Sequence, residues 1–314
     1  MFGDKYNREF KKLRISLTNL CNLSCTYCVP DGKSFTNKNS RFSEVNKVLD
    51  SVKSIHQLVG LEKVRITGGE PLLHPKIEQV IEGLASLGIP HISMTSNGIG
   101  LRKKIDLLKN LGLNSVNISL DSSSSKVFEE ITGHNRFQQV IESIDSALAC
   151  GVHVKINSVI LKGKNEHEVI PLLKLSQEKN IELRFLELMR MGSVKSYFDH
   201  FFISAKGIID IITESGHSVS PLGRSVSSTS QQYLLNDSYK FGIIENESQP
   251  FCKDCDRLRL GSDHKLYGCI TAKQGIKLSD TLTQDTIQQA LHKAMAQKQE
   301  VFVGSDTAMI TIGG

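Results

Sequence analysis

Residues 63–95 read KVRITGGEPLLHPKIEQVIEGLASLGIPHISMT. Lys63–Thr67 is a short β-rich run, a Gly-rich loop follows, and 75–87 carries an amphipathic helical pattern. Gly88 stands where a left-handed C-cap wants a residue without Cβ, and His91–Thr95 opens a second β-rich run. The unit is strand, loop, helix, turn, strand. Working outward, it recurs from residue 12 to 188. Further strands are expected at Lys12–Leu17, Ser115–Leu120, Val152–Ile160 and Ile181–Leu188, with helices near 43–59, 101–111, 136–150 and 165–179. Gly60, Gly112 and Gly151 fall at the same capping place as Gly88, and Asn180 serves it before the sixth strand. Alternation of this kind forces a parallel sheet with right-handed crossovers.

Six βα units predict an α/β fold, either an open doubly wound sheet or an incomplete (β/α)6 TIM-like barrel. Both bind ligands at the C-terminal ends of the strands. The unusual loops gather at that end. Cys21, Cys25 and Cys28 follow the first strand, Gly68-Gly69-Glu70-Pro71 the second, Thr95–Gly98 the third, Ser119–Asp121 the fourth and Met189 the sixth. After residue 190 the pattern changes. Gly223–Ser230 reads as a loop, Gln231–Leu235 with Lys240–Ile244 as a hairpin, and 284–298 as a helix before the terminal Gly313-Gly314. The expected division is 1–190 for the partial barrel and 191–314 for a smaller segment closing its open side.

The 314 residues are 39% hydrophobic and 23% charged, which excludes a collagen-like or disordered chain. No apolar run is long enough to span a bilayer, and residues 1–10 lack the apolar stretch of a secretory signal, so a cytoplasmic address is expected. A net charge of +5 with no Trp gives no nucleic-acid stripe and suits an anionic small molecule.

Six of the seven cysteines are grouped: Cys21-x3-Cys25-x2-Cys28, and Cys252-x2-Cys255-x13-Cys269. Three thiolates on one loop leave an iron–sulfur cube one iron short of protein ligands, and a substrate or cofactor can chelate that iron. Zinc is the bland alternative, but a structural zinc wants four closed ligands and this loop has no fourth. A disulfide framework suits a cytosolic chain less still. Cys150, which ends a helix alone, reads as a small buried hydrophobe.

The first cysteine spacing, with Tyr27 before its last member and Gly-Gly-Glu-Pro after the second strand, resembles the radical S-adenosylmethionine enzymes. The second set, with Arg257 and Arg259 between its members and the terminal Gly-Gly, is similar to the GTP 3′,8-cyclase family that opens molybdenum cofactor biosynthesis. The likeness runs along essentially the whole chain. It implies two 4Fe–4S clusters, on Cys21, Cys25 and Cys28 and on Cys252, Cys255 and Cys269. S-adenosylmethionine on the first would contact Tyr27, Gly69, Glu70, Ser119 and Met189. Arg14, Arg65, Thr95, Lys155, Arg257, Leu258 and Arg259 match GTP-contacting positions, with Arg14, Arg257 and Arg259 nearest the chemistry. The implied reaction uses a 5′-deoxyadenosyl radical to take hydrogen from C3′ of GTP, after which C3′ bonds to C8 of guanine. An external one-electron reductant, a downstream pterin-forming enzyme and a homodimer are implied partners. Asn19-Leu20, Val29 and His74 depart from the family's usual residues without removing a ligand. Two rivals are a peptide-modifying radical enzyme with an auxiliary cluster and a non-catalytic metal-binding or electron-transfer module. Arg257, Arg259 and the terminal glycines weigh against the first, the complete cofactor-site set against the second.

Overall fold

The computed structural model describes Asp4, residues 8–28 and residues 42–313. Val29, Phe2-Gly3 and Gly314 lie outside the described residues. The six expected strands are β1 Lys12–Ser16, β2 Lys63–Thr67, β3 His91–Ser96, β4 Ser115–Ser119, β5 His153–Val159 and β6 Glu182–Leu186. The helices between them are α1 Val45–Val59, α2 Ile77–Ser86, α3 Ile105–Asn110, α4 Ser125–Thr132, α5 Phe137–Ala149 and α6 Val169–Glu178. Gly60, Gly88, Gly112, Gly151 and Asn180 all have positive φ at the turns where the sequence requires it. The short α4, absent from the sequence reading, makes the fourth crossover a helix pair.

Beyond β6 come α7 Phe198–Phe201, α8 Ala205–Glu214, β7 Val219–Gly223, β8 Gln231–Leu235, β9 Tyr239–Ile244, β10 Arg257–Leu260, β11 Lys265–Tyr267, β12 Ile276–Lys277, α9 Gln284–Met295 and α10 Met309–Ile312. All twelve strands join one sheet in the order β12-β11-β10-β1-β2-β3-β4-β5-β6-β9-β8-β7. The chain after β6 thus lengthens both edges: β10 pairs parallel to β1, and β9 parallel to β6.

The sheet curls into a partial barrel. Arg65 on β2 and Arg184 on β6 are four strands apart, about 19 Å in a flat sheet. They nevertheless line the same cavity, and the charge of Arg184 helps to lower Arg65. Strand alternation sends Leu13, Ile15, Val64, Ile66, Leu258 and Leu260 outward into the helix-covered core, where each is at most 1% exposed. The intervening residues point into the barrel, and they are cationic. Register aligns Arg14 with Arg65 on one side and Arg259 on the other, and Lys12 with Lys63 and Arg257 in the next row. Like charges side by side across strands are destabilising. A fold that lines its interior with them does so for an anion.

Candidate functional site

The first cysteine loop is held by the loop after β2. The Gly69 amide donates to the Thr18 carbonyl at 2.7 Å and the Glu70 amide to the Leu20 carbonyl at 2.6 Å. A Cβ on Gly69 would lie 1.9 Å from that Leu20 oxygen, so only glycine permits the approach. The contact that Leu20 makes here runs through its main-chain carbonyl and not its side chain. Glu70 is buried and ties the β2 and β3 loops together: its carboxylate accepts from the amides of Leu72 (3.0 Å) and Asn97 (2.7 Å) and from Ser96 Oγ (2.8 Å). Asn97 Nδ2 in turn approaches Cys21 Sγ at 3.9 Å. Tyr27 donates its hydroxyl to Asp121 Oδ2 at 2.7 Å, joining the cysteine loop to the end of β4. His74 is 2% exposed; its Nδ1 accepts from the Lys76 amide at 3.2 Å, which leaves Nε2 to donate to the Ser43 carbonyl at 2.9 Å. That residue fastens the loop from below and does not reach the cavity.

Burial pushes the Cys21 thiol up to about 11 and Cys28 to about 12, and drives Cys25 well above its ordinary value, with Asp121 and the neighbouring thiols adding to it. Three thiols converging in a dry pocket disfavour bare thiolates and suit a cationic group that binds them together. Among the described residues no three His, Cys, Asp or Glu side chains close on a single metal ion. Three thiol donors in each set are the ligand chemistry of an iron–sulfur cluster with one open iron, whereas a structural zinc takes four.

The second set sits beside β10. The Cys255 amide donates to the Cys252 carbonyl at 3.2 Å, and Arg8 Nη1 donates to the same oxygen at 2.6 Å. Cys269 Sγ lies 3.1 Å from Thr271 Oγ1. Burial raises the Cys255 thiol, but Lys298 and Arg257 outweigh it and bring it down to about 6. Burial and its neighbouring thiols hold Cys252 up near 11.

A cavity of ≈ 200 Å³ spans the two sets, with Tyr27, Cys28 and Met189 on its wall together with Cys252, Cys255 and Cys269. Arg14, Arg65, Thr95, Arg257 and Arg259 line it as well. Gly69, Glu70 and Ser119 lie outside its lining, at the strand ends beside the first loop. Leu258 turns its side chain into the core at 0% exposure, leaving only its main chain for any contact. Lys155 belongs to a second chamber of ≈ 330 Å³, which shares Arg14, Arg65, Arg184 and Arg257 with the first. There it is ion-paired with Glu182 on β6.

The cations are crowded and dry. Burial, then Arg184, Arg257 and Arg259, lower Arg65 to about 9; burial, then Arg65 and other cations, bring Lys63 to about 8. Arg14 is depressed by burial and by Arg259, Arg65 and Arg257. Arg257 Nη2, Arg184 Nε and Asn157 Oδ1 are buried without a hydrogen-bond partner. A polyanion entering this space supplies the acceptors that the two arginines lack and the missing negative charge, while Asn157 Oδ1 is left to accept from a donor on the ligand.

Arg184, Lys63 and Lys12 were missed in the sequence. Strand alternation carried the signal for two of them, since Lys12 and Lys63 share the inward parity of Arg14 and Arg65. Gly313, at the start of the expected tail site, packs on the ends of β1 and β2: a Cβ there would meet Ser16 Cβ at 2.9 Å and Thr67 Cγ2 at 3.1 Å. Its carbonyl accepts from Arg259 Nη1.

Residues 15–176 match the Radical SAM superfamily, and residues 181–303 match Molybdenum Cofactor Synthesis C. The GTP 3′,8-cyclase of Vibrio atlanticus is 35% identical over 295 residues, covering 92% of this chain and 87% of that protein. The chain belongs to the GTP 3′,8-cyclase family of radical SAM proteins. The Aquifex aeolicus member is 34% identical over 91% of the chain and 89% of its own length. Among solved structures, Streptococcus suis SuiB bound to the precursor peptide SuiA superposes with a TM-score of 0.65 at 18% identity, covering 93% of this chain and 68% of SuiB. That likeness is one of fold. Membership of the superfamily implies S-adenosylmethionine and one 4Fe–4S cluster, and the triad of Cys21, Cys25 and Cys28 is the donor set that fits it.

Proposed function

We propose that this protein is a radical S-adenosylmethionine GTP 3′,8-cyclase, a lyase converting GTP to (8S)-3′,8-cyclo-7,8-dihydro-GTP. The observation that carries the reading is one cavity walled by Cys28 of the first triad and by Cys252, Cys255 and Cys269 of the second, which shares Arg14, Arg65, Arg184 and Arg257 with a cationic chamber. Cys21, Cys25 and Cys28 hold the first 4Fe–4S cluster; Cys252, Cys255 and Cys269 hold a second, with an iron left for guanine. When bound, the reduced first cluster and S-adenosylmethionine supply the radical that removes hydrogen from the ribose C3′.

The chain's own residues bind, orient and exclude water. Tyr27, Gly69, Glu70, Ser119 and Met189 form the cofactor's surroundings. Arg14, Arg65, Lys155 and Arg184 receive the triphosphate in the second chamber, and Arg257 offers its free Nη2 near the second triad. Arg259 holds the Gly313 carbonyl and so keeps the tail at the ends of β1 and β2. Thr95 and the main chain of Leu258 complete the substrate wall. Such rows of buried cations suit a nucleotide triphosphate, whose phosphate oxygens accept from arginine forks.

The proposed division at 1–190 and 191–314 keeps β6 with the barrel strands, whereas the two matched families meet between residues 176 and 181. No helix of the described residues is long and apolar enough to cross a membrane. An external one-electron donor, a pterin-forming enzyme that takes the product, and a homodimer belong to the same reading. The test is anaerobic incubation of reconstituted protein with S-adenosylmethionine, dithionite and GTP, followed by chromatographic separation of the nucleotides. A new isomer of GTP is expected; recovery of GTP alone beside consumed S-adenosylmethionine contradicts the substrate.

A further inference from the structure

Lys298, beyond α9, is 7% exposed, and its ammonium sits inside the second cysteine set. Nζ donates to Cys255 Sγ at 3.3 Å and to the Arg257 carbonyl, and stands 5.2 Å from the centre of the Phe10 ring. Among the described residues no carboxylate forms an ion pair with it. A buried ammonium without a counter-charge is costly, and here the thiolate is what offsets it. The contact also brings together distant parts of the chain. Phe10 precedes β1, Cys255 lies just before β10 and Arg257 begins it, and Lys298 arrives from the far side of the last long helix. A lysine that only filled space there would be replaceable by any apolar chain of its length; one that donates to the ligand sulfur is not.

We propose that Lys298 is a positioning and tuning residue for the second cluster, donating to Cys255 Sγ so that its positive charge stabilises the reduced form. Hydrogen bonds to cluster sulfurs and nearby charge set the potentials of such centres. Because the donor also grips the Arg257 carbonyl, the same lysine fixes the strand end that carries Arg257 towards the cavity. The inference rests on the second cluster of the function proposed above.

The test is a redox titration, followed by electron paramagnetic resonance, of anaerobically reconstituted full-length protein without nucleotide. Lys298→Met should leave both clusters in place and shift the second to more negative potential. The ratio of reduced to oxidised second cluster at fixed potential should fall at least tenfold, about 59 mV for a one-electron couple. The first cluster is the internal reference and should not move. Lys298→Arg should restore the native potential. Loss of the second cluster in the Met variant alone, with its return at native potential in the Arg variant, supports the same role. Unchanged potentials in Lys298→Met overturn the proposal, as does failure of both variants to assemble the cluster, which would mark a purely structural role. Native protein that binds only about four irons fails the second-cluster reading itself, and this is seen before any variant is compared.

Discussion

Replacing Gly69 by Ala tests how the first cysteine loop is held. The added Cβ would sit 1.9 Å from the Leu20 oxygen and 2.4 Å from its carbon, where real Cβ atoms keep at least 3.0 Å. These atoms are backbone on both sides, so no side chain can rotate away and the two loops must part by about 1 Å or more. Parting them stretches the bonds at 2.7 and 2.6 Å from the Gly69 and Glu70 amides. Each is worth about 0.5–1.5 kcal/mol net, and overpacking adds about 1–3 kcal/mol. The resulting loss of about 2–6 kcal/mol is localised at the cysteine loop, and a displacement of this size at a reacting centre costs on the order of 100-fold in rate. Gly88→Ala is the control: its φ of +76° brings left-handed strain of about 1–2 kcal/mol, but its Cβ meets nothing within 4 Å. Iron and sulfide per chain after anaerobic reconstitution provide the assay, together with S-adenosylmethionine binding. Gly69→Ala should hold about four irons where the native chain and Gly88→Ala hold about eight, with cofactor binding lost. A Gly69→Ala protein with full iron and native cofactor affinity refutes the reasoning.

Arg65→Ala should weaken GTP binding at least tenfold, from the loss of a charge-assisted contact worth about 1.5–3 kcal/mol, while cluster content stays native; equilibrium dialysis against anaerobic protein measures it. GTP affinity should also fall with added salt, and GMP should bind more weakly than GTP, because the second chamber acts on phosphate charge. Tyr27→Phe leaves Asp121 Oδ2 without its hydroxyl donor and should cost about 1–3 kcal/mol, read as a lower urea midpoint at unchanged slope. Deleting Gly313 and Gly314 removes the acceptor of Arg259. Both clusters and S-adenosylmethionine cleavage should persist while cyclised product disappears, and normal product yield would make the tail an ordinary chain end.

Much of this was legible in the sequence because it depends on local pattern. The six barrel strands, their capping residues and the end of the sheet that carries the loops follow from periodicity and from residues that tolerate positive φ. Long-range register did not show. Arg14 and Arg259 lie side by side only because β10 returns to pair with β1, and alternation fixes a residue's face without naming its neighbour. Lys155, singled out by the family resemblance, does line the cationic chamber, but its partner Glu182 could not be found from spacing. Lys298 has no motif at all; its position is set by where α9 ends. The helix α8 carried a signal that went unread, since Ser204 caps it by accepting from the Gly207 amide at 3.2 Å. His74 looked like a departure in the site and proved to be a buried strut.

The claim at the centre is that one cavity brings the C3′ hydrogen of GTP to the cofactor held by the first triad. GTP carrying deuterium at C3′ tests it, with the label followed by mass spectrometry into 5′-deoxyadenosine during a single anaerobic turnover. The account predicts deuterium in 5′-deoxyadenosine and a cyclised nucleotide that has lost it. Unlabelled 5′-deoxyadenosine, formed while the nucleotide keeps its deuterium, would contradict it.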